Sequence, residues 1–169
     1  MGKRRTLGLL LCLLLLLCTA CGGRTQNDTG DLHCTVTIEC TTVLAHMDDL
    51  SPGKAEIVPS DGVLLPETAV AFSEGDTVFD VLQRVCRAQG IHMESNWTPA
   101  YNSAYIEGIG NLYEFDCGNL SGWMYSVNGV WPDYGCSSYT LHDGDTVVWS
   151  YTCFGLGALI GKALGLNWK

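Results

Sequence analysis

Between Cys34 and Leu44 apolar and polar residues alternate, with Val36, Ile38 and Cys40 interleaved with Thr35, Thr37 and Glu39. Successive side chains of a strand point to opposite faces, so this period of two predicts a half-buried strand with Cys34 and Cys40 on its inner side. The stretch 46–62, with Pro52, Gly53, Pro59 and Asp61-Gly62, predicts a loop. A second strand, Val63 to Phe72, contains Pro66, whose missing N–H restricts it to a sheet edge or a bulge. The period then lengthens. From Asp76 to Gln89 the residues Val78, Val81, Leu82, Val85 and Cys86 recur at the spacing of one helical face. Thr77 and Asp80 have the spacing of a capping box, with Asp in place of the usual Glu, and Gly90 stands where a C-terminal cap belongs.

Short strands are predicted after the helix. Ala104 to Ile109 and Leu112 to Cys117 flank Gly110-Asn111, Trp123 to Val127 and Val130 to Trp131 flank Asn128-Gly129, and Ser138 to His142 and Thr146 to Tyr151 flank Asp143-Gly144-Asp145. Asn-Gly between apolar runs marks a tight hairpin, because both turn residues need positive φ. Two strands, one helix and then several strands predict an α+β fold, a β-grasp-like mixed sheet with one main amphipathic helix laid across it.

The chain has 169 residues, 47% of them apolar and 16% charged, which suits one domain with its own core and argues against disorder. Lys3, Arg4 and Arg5 precede an apolar run from Leu7 to Ala20, the pattern of a secretory signal peptide over residues 1–20. That run is short of the roughly 20 residues a membrane span needs. Cys18-Thr19-Ala20-Cys21 resembles the lipobox of bacterial lipoproteins, although Cys18 stands where Leu is usual. In that reading Cys21 is lipidated and residues 21–33 form a flexible tether on the outer face of the cell membrane. The other reading is a cut after Ala20 and a secreted protein. Without the leader, six of the nine basic residues remain against 18 acidic ones. So acidic a chain, with no Lys/Arg cluster, is unsuited to nucleic acid.

Export changes the meaning of the cysteines. Cys34, Cys40, Cys86, Cys117, Cys136 and Cys153 form an even set of disulfide candidates, and no CxxC pair suggests a zinc ribbon. A hairpin about Asp143-Gly144 brings Cys136 and Cys153 to its open end and favours that pair. Cys40 and Cys86 come next, on facing strand and helix surfaces, and Cys34 and Cys117 remain.

The run Gly122-Trp123-Met124-Tyr125-Ser126-Val127-Asn128-Gly129, followed by Pro132, Tyr134, Gly135 and Cys136, and the segment Tyr139-x-Leu141-x-Asp143-Gly144-Asp145-x-Val147-x-Trp149-x-Tyr151 resemble a bacterial domain of unknown function related to the C-terminal domain of transcobalamin and intrinsic factor. Thr77-Val78-x-Asp80-x-Leu82 and Tyr105-Ile106-x-Gly108-Ile109 fit the same pattern. The resemblance spans roughly residues 34–153. It implies a β-grasp-like fold, a cell-surface or secreted location, and a corrinoid such as cobalamin as a ligand. Animal members hold cobalamin between this domain and a separate helical one, for which this chain has no room; a lone domain offers one wall. The tail also departs from the pattern, with Phe154-Gly155-Leu156-Gly157 where an acidic residue is expected.

Trp123, Tyr125, Trp131, Tyr134 and Tyr105, with Trp97 and Tyr101, are the candidate ligand-binding set, because a flat apolar cofactor gains from stacking on exposed rings. The competing expectation for Trp123 is core packing; Tyr125 and Trp131, nearer the turn, are expected to be more exposed. His92-x-Glu94, joined by Asp116 or His142, is the only candidate metal cluster and lacks a recognisable motif. Ser121 lacks the Gly-x-Ser-x-Gly elbow, and Asp143 and Asp145 suit a tight turn better than acid–base work. The expectation is a non-enzymatic protein that captures a corrinoid or similar planar cofactor for a transporter. A surface module for a protein or glycan partner and a metal-binding surface protein are the alternatives. The apolar, Gly-rich tail 154–169 reads either as a short helix docking on the domain or a membrane surface, or as a mobile extension.

Overall fold

The computed structural model describes residues 32–100 and 102–155. The leader, Cys21 and most of its tether, Tyr101 and the tail from residue 156 lie outside the described residues.

The alternating first segment forms β1 (Leu32–Glu39), with Cys34, Val36 and Ile38 buried on one face. Its antiparallel neighbour β2 (Val63–Phe72) is an edge strand, and the register between them slips between Val36↔Thr68 and Ile38↔Leu65. Pro66 lies within that slip, so it occupies both an edge and a bulge, where a residue without N–H costs least. On its other side β1 pairs in parallel with the last strand, β7 (Thr146–Thr152). Strand β6 (Gly122–Val127) lies antiparallel to β7 and completes a four-stranded mixed sheet of order β2-β1-β7-β6.

The helix α1 (Val78–Gln89) begins and ends where its capping signals lie. Thr77 Oγ1 accepts from the Asp80 N–H at 3.3 Å, the Asp80 carboxylate accepts from the Thr77 N–H at 2.8 Å, and Gly90 closes the last turn at φ 67°. The shorter Asp thus completes the box. Val78, Val81, Leu82, Val85 and Cys86 form the buried face, which packs toward β2 and a short 3-10 turn at Cys136–Ser138. Arg84 donates to the Ala71 carbonyl and to Asp76, both at 2.8 Å, tying the helix to the end of β2.

A second, antiparallel sheet contains β3 (Met93–Thr98), β4 (Ser103–Ile109) and β5 (Leu112–Tyr113). The Gly110-Asn111 hairpin forms, with both residues at φ of 62–65°. Strand β3 is not among the strands predicted from the sequence, because Glu94, Ser95 and Asn96 carry polar groups to both faces and leave no apolar alternation. Two buried polar heads join the sheets. The Trp123 indole donates to the Leu112 carbonyl at 2.8 Å, and the Tyr151 hydroxyl donates to the Tyr113 carbonyl at 2.8 Å.

The expected hairpin of Ser138–His142 with Thr146–Tyr151 does not form. Residues 139–141 are bonded to the start of α1 instead: Val78 N–H donates to the Tyr139 carbonyl, Leu141 N–H donates to the Asp76 carbonyl, and Thr77 bridges Thr140. Strand β7 is saturated by β1 and β6, so no edge is left for residues 138–142. Val130 reaches only a single bridge to Val127 across the Asn128-Gly129 turn, and Trp131 adds no strand.

This topology does not bring the favoured pair, Cys136 and Cys153, together. All six described cysteines are buried and unbonded. Cys136 sits in the 3-10 turn with its sulfur 3.7 Å from the Ala104 carbonyl, away from Cys153. The Cys34 sulfur faces the Val70 carbonyl at 3.8 Å, and Cys117 lies beside Cys153. No bond joins Cys40 to Cys86. The favoured pairing presupposed a hairpin that the chain does not make.

Candidate functional site: an aromatic cavity

Strands β4 and β6 and the segment 132–136 line a half-open cavity of about 590 Å³. Four of the five expected ligand-binding residues, Tyr105, Trp123, Tyr125 and Tyr134, line it, together with Trp149 of β7. The fifth, Trp131, lines an adjoining depression of about 520 Å³ that shares Pro132, Asp133 and Tyr134 with the first. Alternation along β6 turns Trp123, Tyr125 and Val127 to one side.

Burial divides these rings into two groups. Trp123 and Tyr125 are each only 8% exposed, whereas Tyr105 and Tyr134 are 45% and 50% exposed. The exposure expected of Tyr125 is therefore corrected: nearness to the turn does not free it, because its ring lies 5.4 Å from Trp149 and edge-on to Tyr139 at 6.2 Å. Trp123 packs edge-on against Tyr151 at 5.3 Å. Trp131 is half-buried, and Trp97, though exposed, does not line the cavity.

The buried group holds the exposed one. The Tyr125 hydroxyl donates to the Tyr134 carbonyl at 2.8 Å, and the Tyr134 ring stacks on Tyr139 at 5.8 Å and 13° between planes. On the opposite rim the Tyr105 hydroxyl donates to Glu114 at 2.6 Å. Desolvation, reinforced by that hydrogen bond, pushes the Tyr105 phenol up to about 12, so it remains neutral in ordinary buffers. Desolvation also raises the buried Tyr125 phenol.

The segment 132–136 is fixed from below. Ser137 accepts from the Ala104 N–H at 2.9 Å and shares a hydrogen bond with Ser103 at the same distance. A Cβ on Gly135 would lie 1.7 Å from Ser103 Oγ, so only glycine lets the segment approach β4 this closely. Gly135 and the two serines are functional supports that residue chemistry alone does not reveal; the glycine within the Pro132–Cys136 motif is the one signal for them.

The other candidates are used elsewhere. Asp145 accepts from the His142 N–H and the Asn128 amide, both at 2.8 Å, and Asp143 accepts from the His33 N–H at 2.8 Å, so Asp145 closes its own turn and Asp143 ties that turn to β1. Ser121 Oγ donates to the Gly118 carbonyl and accepts from the Cys117 N–H. His92 and Glu94 meet at 2.9 Å with the Tyr113 hydroxyl beside them. Hydrogen bonds from Tyr113 and then His92 hold Glu94 below the usual carboxylate range. Asp116 is instead paired with Lys54 at 3.0 Å, and His142 lies beside Asp145 at 3.9 Å. Among the described residues no three His, Cys, Asp or Glu side chains are placed to hold a metal ion.

No curated protein matches the chain. It is similar to the solved structure of haptocorrin in complex with Cbi at 13% identity and a TM-score of 0.46, over 72% of this chain and 25% of that one. The chain thus spans about a quarter of the length of haptocorrin. It is also similar to a protein of Ruminococcus gnavus ATCC 29149 described as a candidate metal binding protein, at 16% identity and a TM-score of 0.40, over 72% of this chain and 96% of that one. Residues 75–153, the stretch from the helix cap through the cavity to the end of the last strand, match the family described as Domain of unknown function (DUF4430).

Proposed function

We propose that this domain is the ligand-binding part of an exported, lipid-anchored protein that does no chemistry and holds one face of a corrinoid or a similar large planar cofactor. The observation that carries the reading is the cavity, whose volume of about 590 Å³ falls within the roughly 300–1,000 Å³ of small-molecule sites. Its floor is built of buried rings, and the half-exposed rings at its rim can stack on an apolar face. The Gly122–Gly129 and Tyr139–Tyr151 motifs bring the corrinoid class forward. Anchoring through Cys21 rests on the sequence of the leader, and a cell-surface transporter is the natural recipient of the ligand.

The test is to titrate the purified protein with cobalamin, cobinamide and haem, following absorbance and co-elution. Binding of a corrinoid supports the reading; failure of all three at roughly tens of micromolar, an affinity weaker than about −7 kcal/mol, removes it. Cys21→Ser tests the anchor, since it releases a lipoprotein into the medium and leaves any other membrane attachment in place.

A second reading uses the same surface for a protein or glycan partner. The exposure of Val130 at 66%, beside the Trp131 depression, favours it. Retention on an immobilised glycan or surface protein, with no corrinoid bound, distinguishes it.

A further inference from the structure

Cys117 follows the short strand β5 and Cys153 follows β7, so their nearness depends on the completed fold. Their sulfurs lie 2.6 Å apart, both residues are buried, and a disulfide requires a closure of only about 0.5 Å more. The surrounding backbone is held on both sides: the Cys117 N–H donates to Ser121 Oγ at 3.0 Å, and Leu120 bridges Phe154.

We infer that Cys117 and Cys153 are a disulfide-forming pair whose bridge closes the chain segment carrying most of the cavity wall. The two residues are 36 apart in sequence, and all of β6, the segment 132–136 and β7 lie between them. The oxidant is a disulfide, either a small molecule such as glutathione disulfide or a thiol oxidase partner. One cysteine, as thiolate, attacks the oxidant and displaces one thiolate, giving a mixed disulfide. The second cysteine, having lost its proton, then attacks the protein sulfur of that mixed disulfide and displaces the other thiolate. The sum is two protein thiols and one external disulfide becoming one protein disulfide and two external thiols. Burial raises both thiols above their ordinary range, so the folded chain keeps them protonated and slow to exchange. Oxidation therefore belongs to the last stage of folding, when β7 has brought the two sulfurs together and they are not yet covered.

The experiment folds the full chain with glutathione disulfide, then denatures, alkylates without reducing, and maps the digest by mass spectrometry. A peptide pair joining Cys117 to Cys153, lost on reduction, is expected, with a melting temperature about 10 °C above that of the reduced protein. Serine at any of the buried cysteine positions can itself unfold the domain, so the mapping is made on the unsubstituted chain. Alkylation of both Cys117 and Cys153 after oxidative folding, or a bridge from either to Cys136 or Cys34, overturns the inference.

Discussion

Tyr125 is buried and Tyr134 is half exposed, yet the hydroxyl of the first carries the backbone of the second, O–H to carbonyl at 2.8 Å. The strand thus holds the rim ring by its main chain and leaves its side chain to the solvent. Tyr125→Phe keeps the packing and removes this one bond. The expected loss is about 1 kcal/mol in urea unfolding, with weaker ligand binding because the rim is no longer held in advance. Unchanged stability and affinity would show that the bond has no positioning role.

Tyr134→Ala and Tyr105→Ala change the rim without touching the floor. Both side chains are near half exposure and each makes one contact, the Tyr134 stack on Tyr139 and the Tyr105 hydrogen bond to Glu114, so stability should fall by about 1 kcal/mol. Corrinoid affinity should fall about tenfold for each, the effect of losing one ring contact. Calorimetric titration of the two variants beside the parent measures this. Equal affinity in all three would place the ligand elsewhere.

Gly135→Ala tests the close approach to β4. Its φ of −70° suits any residue, so the cost is steric, from a Cβ 1.7 Å from Ser103 Oγ. A loss of about 1–3 kcal/mol is expected, and Ser103→Gly in the same chain should recover part of it. Gly144→Ala has open space but a φ of 82°, so its cost comes from backbone conformation alone and Ser103→Gly should not relieve it.

Asp76 sets an acid limit on stability. Burial pushes its carboxyl up, but hydrogen bonds from the Ser73 N–H and from Arg84 outweigh that, and the net shift is downward. A folded pKa below the unfolded value of about 3.9 means stability that is present above that pH and lost as the pH falls through the folded value. Asp76→Ala should cost about 1–2 kcal/mol at pH 7. The difference from the parent should shrink steadily below about pH 4; a constant difference down to pH 2 would contradict the assignment.

Features encoded by neighbours a few residues apart were legible in the sequence. The α1 caps, the Gly110-Asn111 turn, the edge position of β2 and the inner face of β1 each depend on local chemistry. Long-range competition was not legible. Residues 138–142 have a strand pattern, but the start of α1 takes their hydrogen bonds, and with that hairpin the expected Cys136–Cys153 bridge disappears. The aromatic set was legible as a group and four of its members do share one cavity, whereas which rings face water was not. Trp149 and Tyr139 bury Tyr125; the first is placed by the pairing of β7 with β6 and the second by the hydrogen bond that the start of α1 makes to its carbonyl, not by anything near residue 125.

The strand that opens the described domain lies beside the one that ends it, β1 against β7, and this neighbour relation sets the order of assembly. Until Thr146–Thr152 arrives, β1 has a single partner and the cavity has no floor. Such sequence-distant pairing slows folding, so the four-stranded sheet closes last, after α1 and the local β3-β4-β5 sheet can have formed. A domain of this topology completes its four-stranded sheet only with its final strand.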